Sequence, residues 1–318
     1  MKRLLFLLIL FPFFTIAQSL VSKAELMIDN KQFTKAETTL IPFVKQNPEN
    51  LKAIELLGDA LGHQKKWDDA AAQFKKLIEQ KPNTANYHYK YGGALGMKAL
   101  TVSKISALMI IGDIKSSFLK AVQLDPKHID AHWALVELYI QLPGIVGGSK
   151  SKSLKYANAL QNISKVDGYL AKGYIYEYDN EPELAEEFYK KAIQTGGSVT
   201  CYDKLTKLYE KEGKTNLAIS NLEAANLKHK RNAMHYQIGK VCADYNVQLE
   251  KGEFCLKIYL KNYSAKDGVP KAWAYYRLAQ IYKHKNNKTE ALKWIDKAIV
   301  NLPKIEVFKT EKQKINML

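Results

Sequence analysis

The chain has 318 residues and a formal net charge of +16, with 47% hydrophobic and 25% charged residues. Such a composition belongs to a folding chain, not to a disordered or collagen-like one. Three cysteines, Cys201, Cys242 and Cys255, are too few for a disulfide-stapled fold and form no Cys-x-x-Cys pair, which removes the redox and zinc motifs built on that spacing.

The N-terminus has the order of a secretory signal. Lys2-Arg3 is the basic region, Leu4 to Phe14 the apolar core and Thr15-Ile16-Ala17 a small-residue exit before Gln18. The apolar run is short for a membrane span, which needs about 20 residues. No cysteine follows it to carry a lipoprotein anchor. The expected mature chain is therefore periplasmic or secreted, cleaved after residue 17, with no transmembrane span. Inside a cell a +16 balance suggests nucleic acid. An exported chain meets anionic lipids, envelope polysaccharides and acidic proteins instead, so nucleic acid is not expected; peripheral membrane contact is open to it, and the simpler reading is that surplus lysine solvates the helices.

From there a unit of 34 residues recurs. Its first copy, Ala17 to Asn50, places Leu20, Ala24, Met27, Ala36, Leu40 and Pro48. The clearest copy is Leu51 to Thr84. Ile54, Leu57, Gly58 and Leu61 form one face of a first helix, and Ala70, Phe74 and Leu77 face back from a second, with Pro82 ending the pattern. Gly58 and Ala70 are expected where the two helices approach most closely. The third copy starts at Ala85, but its marks Phe118, Ala121 and Pro126 arrive ten residues late. The extra residues, around Leu100 to Asp113, contain no proline, so both helices are expected to lengthen and the hairpin to project. The fourth copy, from Ile129, has an insertion at the same corner, Leu142-Pro143-Gly144-Ile145-Val146-Gly147-Gly148-Ser149. Its Pro-Gly and Gly-Gly pairs mark tight turns, Ser149 is a candidate helix cap, and Ile145 and Val146 are expected to pack on the projecting hairpin. Copies then start at Val166, Val199, Asn232 and Ala272, and Glu306 to Leu318 follows as a charged final helix. That gives about eight repeats over residues 18–305 and a capping helix over 306–318.

A helix–turn–helix of this length and pattern resembles the tetratricopeptide repeat. The resemblance implies an all-α fold, an α-solenoid wound as a right-handed superhelix, because one such unit cannot bury its apolar faces alone. The Pro-Gly-Ile-x-Gly-Gly-Ser corner resembles one in exported bacterial members, including the periplasmic repeat component of some solute transporters. In the family, fixed positions of each first helix line a concave groove. Carried onto this chain they are Asn86, Tyr89, Trp133, Glu137, Tyr174, Glu177, Lys207, Tyr236, Lys240, Trp273, Tyr276 and Lys283. Aromatics interleaved with lysine and glutamate suit an extended peptide or a protein tail, with Trp133, Tyr236 and Trp273 as anchors and lysines for carboxylates. The family's dicarboxylate clamp is not clearly reproduced.

No catalytic set accompanies the repeats. His128 and His132 have helical metal-pair spacing, but Pro126 puts the helix start near His128 and His132 holds a packing position. No His-Glu-x-x-His, Walker or nucleophile-elbow pattern occurs. The expectation is a non-catalytic scaffold, without cofactor or metal, that binds a protein or peptide, acidic ones included, in an envelope assembly. The alternative is a solute-binding accessory of a transporter, for which a closed apolar pocket beside Met109, Ile110 and Ile145 would be the sign.

Overall fold

Apolar residues three and four apart, with polar corners between them, break the chain into helices, and the computed structural model describes them over residues 20–318. The leader at 1–17 lies outside the described residues. Among the described residues there are 17 α-helices and no strand, so the fold is all-α. The chain forms two compact units, one ending at Ser164 and the other beginning at Lys165.

In the first unit the helices pair as α1 (20–29) with α2 (Phe33–Gln46), α3 (Leu51–His63) with α4 (Trp67–Gln80), α5 (Ala85–Ala99) with α6 (Lys104–Leu124), and α7 (Ile129–Gln141) with α8 (Lys150–Ile163). The second unit pairs α9 (Lys165–Tyr178) with α10 (Pro182–Thr195), α11 (Val199–Lys211) with α12 (Thr215–His229), α13 (Asn232–Tyr245) with α14 (Leu249–Lys261), and α15 (Lys271–His284) with α16 (Lys288–Asn301). The last helix, α17 (Glu306–Asn316), packs on α16. Short loops force neighbouring helices antiparallel. Each unit is thus a stack of helical hairpins, an α-solenoid.

The hairpin α3/α4 shows why the sequence folds this way. Asn50 caps α3 by accepting a hydrogen bond from the Ala53 amide. Ile54, Leu57 and Leu61 are buried against Ala70, Phe74 and Leu77. A Cβ at Gly58 would stand 2.5 Å from the Phe74 ring, so the glycine is what lets the ring reach the helix backbone. The same pairing recurs at Gly92 with Phe118, Gly173 with Tyr189 and Gly239 with Leu256. The corners repeat too. Lys31, Lys65, Asn180, Gly213, Asn246 and Asn286 each turn a hairpin in the left-handed region, with φ between 53° and 67°. Asparagine and glycine tolerate that region best, and Lys31 and Lys65 occupy it at a steric cost.

The two inserted corners depart from this scheme. At α5/α6 the added residues go mainly into the second helix, which has 21 residues against 15 in α5. Equal lengthening of both helices does not occur. Thr101 donates back to the Lys98 carbonyl and closes α5, and Ser103 accepts from the Ser106 amide and starts α6 at once. At α7/α8, Gly144–Val146 makes a 3₁₀ turn that ends at Gly147 with φ 96°. A Cβ at Gly148 would overlap the Leu142 carbonyl oxygen, so only glycine fits there. Ser149 caps α8, and the buried Ser153 hydroxyl donates to the Val136 carbonyl at 2.8 Å. Ile145, expected to pack, is instead 94% exposed at the apex of the turn.

Cys201, Cys242 and Cys255 are buried free thiols. Burial pushes the Cys242 and Cys255 thiols up to about 12 and about 11, so they are inert packing groups at neutral pH.

Candidate functional site

The first helices of successive hairpins carry all twelve candidate binding residues, and α11 and α13 bring two of them together. Lys207 and Lys240 line a cleft of about 390 Å³ whose walls also include Asp203, Thr206, Glu210 and Gln237. Tyr202, Leu222 and Met234 supply its apolar side. Lys207 is exposed and pairs with Asp203 on its own helix, at 2.8 Å. Lys240 bridges Glu210 of the preceding hairpin at 3.2 Å and Asp244 at 3.7 Å. Arg277 of α15 also grips Asp244. The cleft is therefore lined by alternating acids and bases, with lysines that already hold the chain's own carboxylates.

This pairing follows the repeat. Lys52 bonds Glu25 at 2.6 Å, Lys90 bonds Asp59 at 2.7 Å, Lys240 bonds Glu210 and Arg277 bonds Asp244, each base reaching an acid about one repeat earlier. Lys283 reaches forward to Glu311 on α17. Asn86 donates to Glu55 at 3.1 Å in the same manner. Glu177 accepts from the buried Tyr189 hydroxyl at 2.7 Å. These charges register one hairpin on the next, and the sequence carried their signal as an acid roughly thirty positions before a base.

The aromatic candidates are placed unevenly. Tyr236 and Tyr276 are buried, against Tyr259 and Phe308 respectively. Trp273 is half-buried with its ring edge-on to Phe308 of α17, centroids 4.9 Å apart, so it anchors the final helix. Tyr89 lies half-buried between Phe118 and His128. Trp133 and Tyr174 are half-buried and Glu137 is exposed. The Lys204 ammonium lies 5.6 Å from the Tyr174 ring centroid. Burial pushes the phenols of Tyr89, Tyr236 and Tyr276 up from their ordinary value, which keeps them neutral contact groups.

The histidine pair is accounted for by the fold. His128 Nδ1 accepts from the Ala131 amide at the start of α7, and His132 Nε2 lies 3.0 Å from the Pro126 carbonyl oxygen. Among the described residues no group of three His, Cys, Asp or Glu side chains is placed to hold a metal.

Family models for the tetratricopeptide repeat match residues 23–94, 166–195 and 274–299. Those stretches, found in both units, are tetratricopeptide repeats. Solved structures agree. A crystal structure of a tetratricopeptide repeat protein from Parabacteroides merdae covers 95% of this chain and 99% of its own, at a TM-score of 0.51 and 15% identity. A thermophilic tetratricopeptide protein of Thermus thermophilus covers 61% of this chain and 97% of its own, at a TM-score of 0.50 and 14% identity. At such identities the likeness concerns the fold alone. Among curated proteins the sequence has no match. The tetratricopeptide register assigns α11, α13 and α15 as first helices, the ones whose faces carry the cleft and its charged neighbours.

Proposed function

We propose that this tetratricopeptide protein is a non-catalytic scaffold that takes an extended segment of a partner protein against the first helices of its repeats. The cleft between α11 and α13 is the observation that carries the reading. It offers an apolar wall at Tyr202 and Met234, hydrogen-bonding groups at Thr206 and Gln237, and charges of both signs. A segment of mixed polarity fits such a lining better than a purely acidic one, because only Lys207 is a strongly exposed cation there. A photo-crosslinking side chain at Gln237 should capture the partner segment, and one at Lys228, on α12, should not. Equal capture from both positions, or none from Gln237, defeats the assignment.

The setting we infer is extracytoplasmic, in an envelope assembly. The order Lys2-Arg3, Leu4 to Phe14 and Ala17 supports it. Intact-mass measurement of the chain from its native source should place Gln18 first. A chain retaining Met1 in the cytosol rejects export and leaves the cleft reading standing. The transporter-accessory alternative gains no support, since Met109 and Ile145 face solvent at 80% and 94% exposure rather than closing a pocket.

A further inference from the structure

The free end of the α5/α6 hairpin is the most anomalous surface of the first unit. α6 starts with Ile105, Leu108 and Met109 on one stripe, three and four residues apart, and all three are exposed. Leu100, in the turn before it, is 74% exposed. The opposite side of α6, at Ile110 and Ile114, packs on the core. A helix start that is apolar on both faces and covered on one needs a second apolar surface.

Along the chain the charges flanking this tip are mostly basic, the acids near it being Asp113 and Asp68, which pairs with Lys98 at the end of α5. From Ala99 to Gly112 the only charged residue is Lys104. From Leu138 to Ser164 the only charged residues are Lys150, Lys152 and Lys155. Lys115 and Lys152 both stand over the Tyr139 ring, at 5.8 and 5.6 Å, so α6 and the start of α8 share the neighbouring corner. Exposed Ile145 sits at that corner. Asp113 is the single acid on this part of α6, a turn beyond the apolar stripe.

We propose that the hairpin end is a wedge for an anionic lipid surface. Met109 lies about 8 Å along the helix from its start and Lys115 about 16 Å, at 1.5 Å per residue. Set end-on, the stripe enters to about the 5–10 Å depth at which apolar helix faces rest in the headgroup and acyl boundary, and the exposed Lys104 at the leading end snorkels back to the headgroups. Lys115 and Lys152, which meet over the Tyr139 ring, are then near the level of the lipid phosphates, where each basic residue adds attraction. A protein partner is the weaker fit. The tip is exposed and aliphatic, without the tryptophan, tyrosine or arginine that dominate protein hot spots.

The test is flotation of the full chain with phosphatidylcholine vesicles, with and without phosphatidylglycerol. Binding should require the anionic lipid and fall with salt. Leu108→Ser with Met109→Ser should weaken it at least tenfold. Leu227→Ser with Val300→Ser, at equally exposed sites in the second unit, should leave it unchanged. An environment-sensitive dye on Met109→Cys, which labels selectively because the native thiols are buried, should report transfer to an apolar medium. Binding through the N-terminal leader would persist in the tip variant. Flotation that survives the tip substitutions, a dye that stays in water, or no flotation at all overturns the proposal. Loss of a cross-linked protein instead of vesicles makes the tip a protein dock and overturns it equally.

Discussion

Glu253 on α14 sits where donors from two hairpins converge. Its Oε1 accepts from Lys257 at 2.5 Å and from the Tyr282 hydroxyl at 2.7 Å, and its Oε2 accepts from Lys285 at 2.7 Å. Burial alone would raise its pKa, but Lys257, Lys285 and Tyr282 outweigh burial and hold the carboxyl at about 2. Its folded pKa is therefore depressed relative to an ordinary glutamate at about 4.3. Linkage then fixes the sign: the contribution is complete above the unfolded pKa and is lost as pH falls through the folded one. Because the group is partly solvated, its share is about 1 kcal/mol or less. Glu253→Gln should melt below the native chain at pH 7, with the gap closing between about pH 4.5 and pH 2. A gap independent of pH would show that the site acts by packing alone. Glu37, held low chiefly by its hydrogen bonds from Lys66, adds to the same acid limb in both proteins and cancels in the comparison.

At the scale of the helix, adjacent glycines on α5 separate close approach from mere permissiveness. A Cβ at Gly92 would stand 2.9 Å from the Phe118 ring and 3.0 Å from Ser117, whereas Gly93 has nothing within 4 Å. Alanine gains about 1 kcal/mol over glycine in a helix interior, and overpacking costs about 1–3 kcal/mol. Gly93→Ala should therefore raise the melting temperature and Gly92→Ala should lower it. Two changes of the same sign would mean that α5 and α6 do not meet as described. Gly92 was legible in the sequence because it recurs in register with Gly58, Gly173 and Gly239 opposite a large residue of the next helix. The distribution of the α5/α6 insertion was not, since it depends on where Thr101 and Ser103 close and open helices, a choice between near-equal local caps. Ile145 was misplaced for a related reason. Its exposure follows from a 3₁₀ turn and a left-handed Gly147, which hydrophobic patterning does not encode. In the candidate site, Lys207 and Lys240 were readable from the repeat register, and the thirty-residue spacing of Glu210 and Lys240 signalled their pairing, but the cleft that α11 and α13 enclose depends on how the hairpins stack.

Over the whole molecule, stability in a repeat array is close to a sum of local terms, because each hairpin touches only its neighbours. The ion pairs from Lys52 to Arg277 fit that picture, each joining one hairpin to the next. The C-terminal end gives the sharpest test. Phe308 of α17 is fully buried, with Trp273 and Tyr276 of α15 against its ring. Glu311 beside it is buried and answers Lys283. Phe308→Ala should cost about 3–5 kcal/mol, as for other large core truncations. In a single cooperative domain that loss would be felt by every amide protected through global unfolding. In a quasi-one-dimensional array it should fall on α15, α16 and α17 and leave the helices up to Ser164 unaffected. Hydrogen exchange resolved by peptide distinguishes the two. Faster exchange confined to residues beyond Lys271 is the expected result, and an equal loss of protection in α3 and α4 would show that the two units unfold as one.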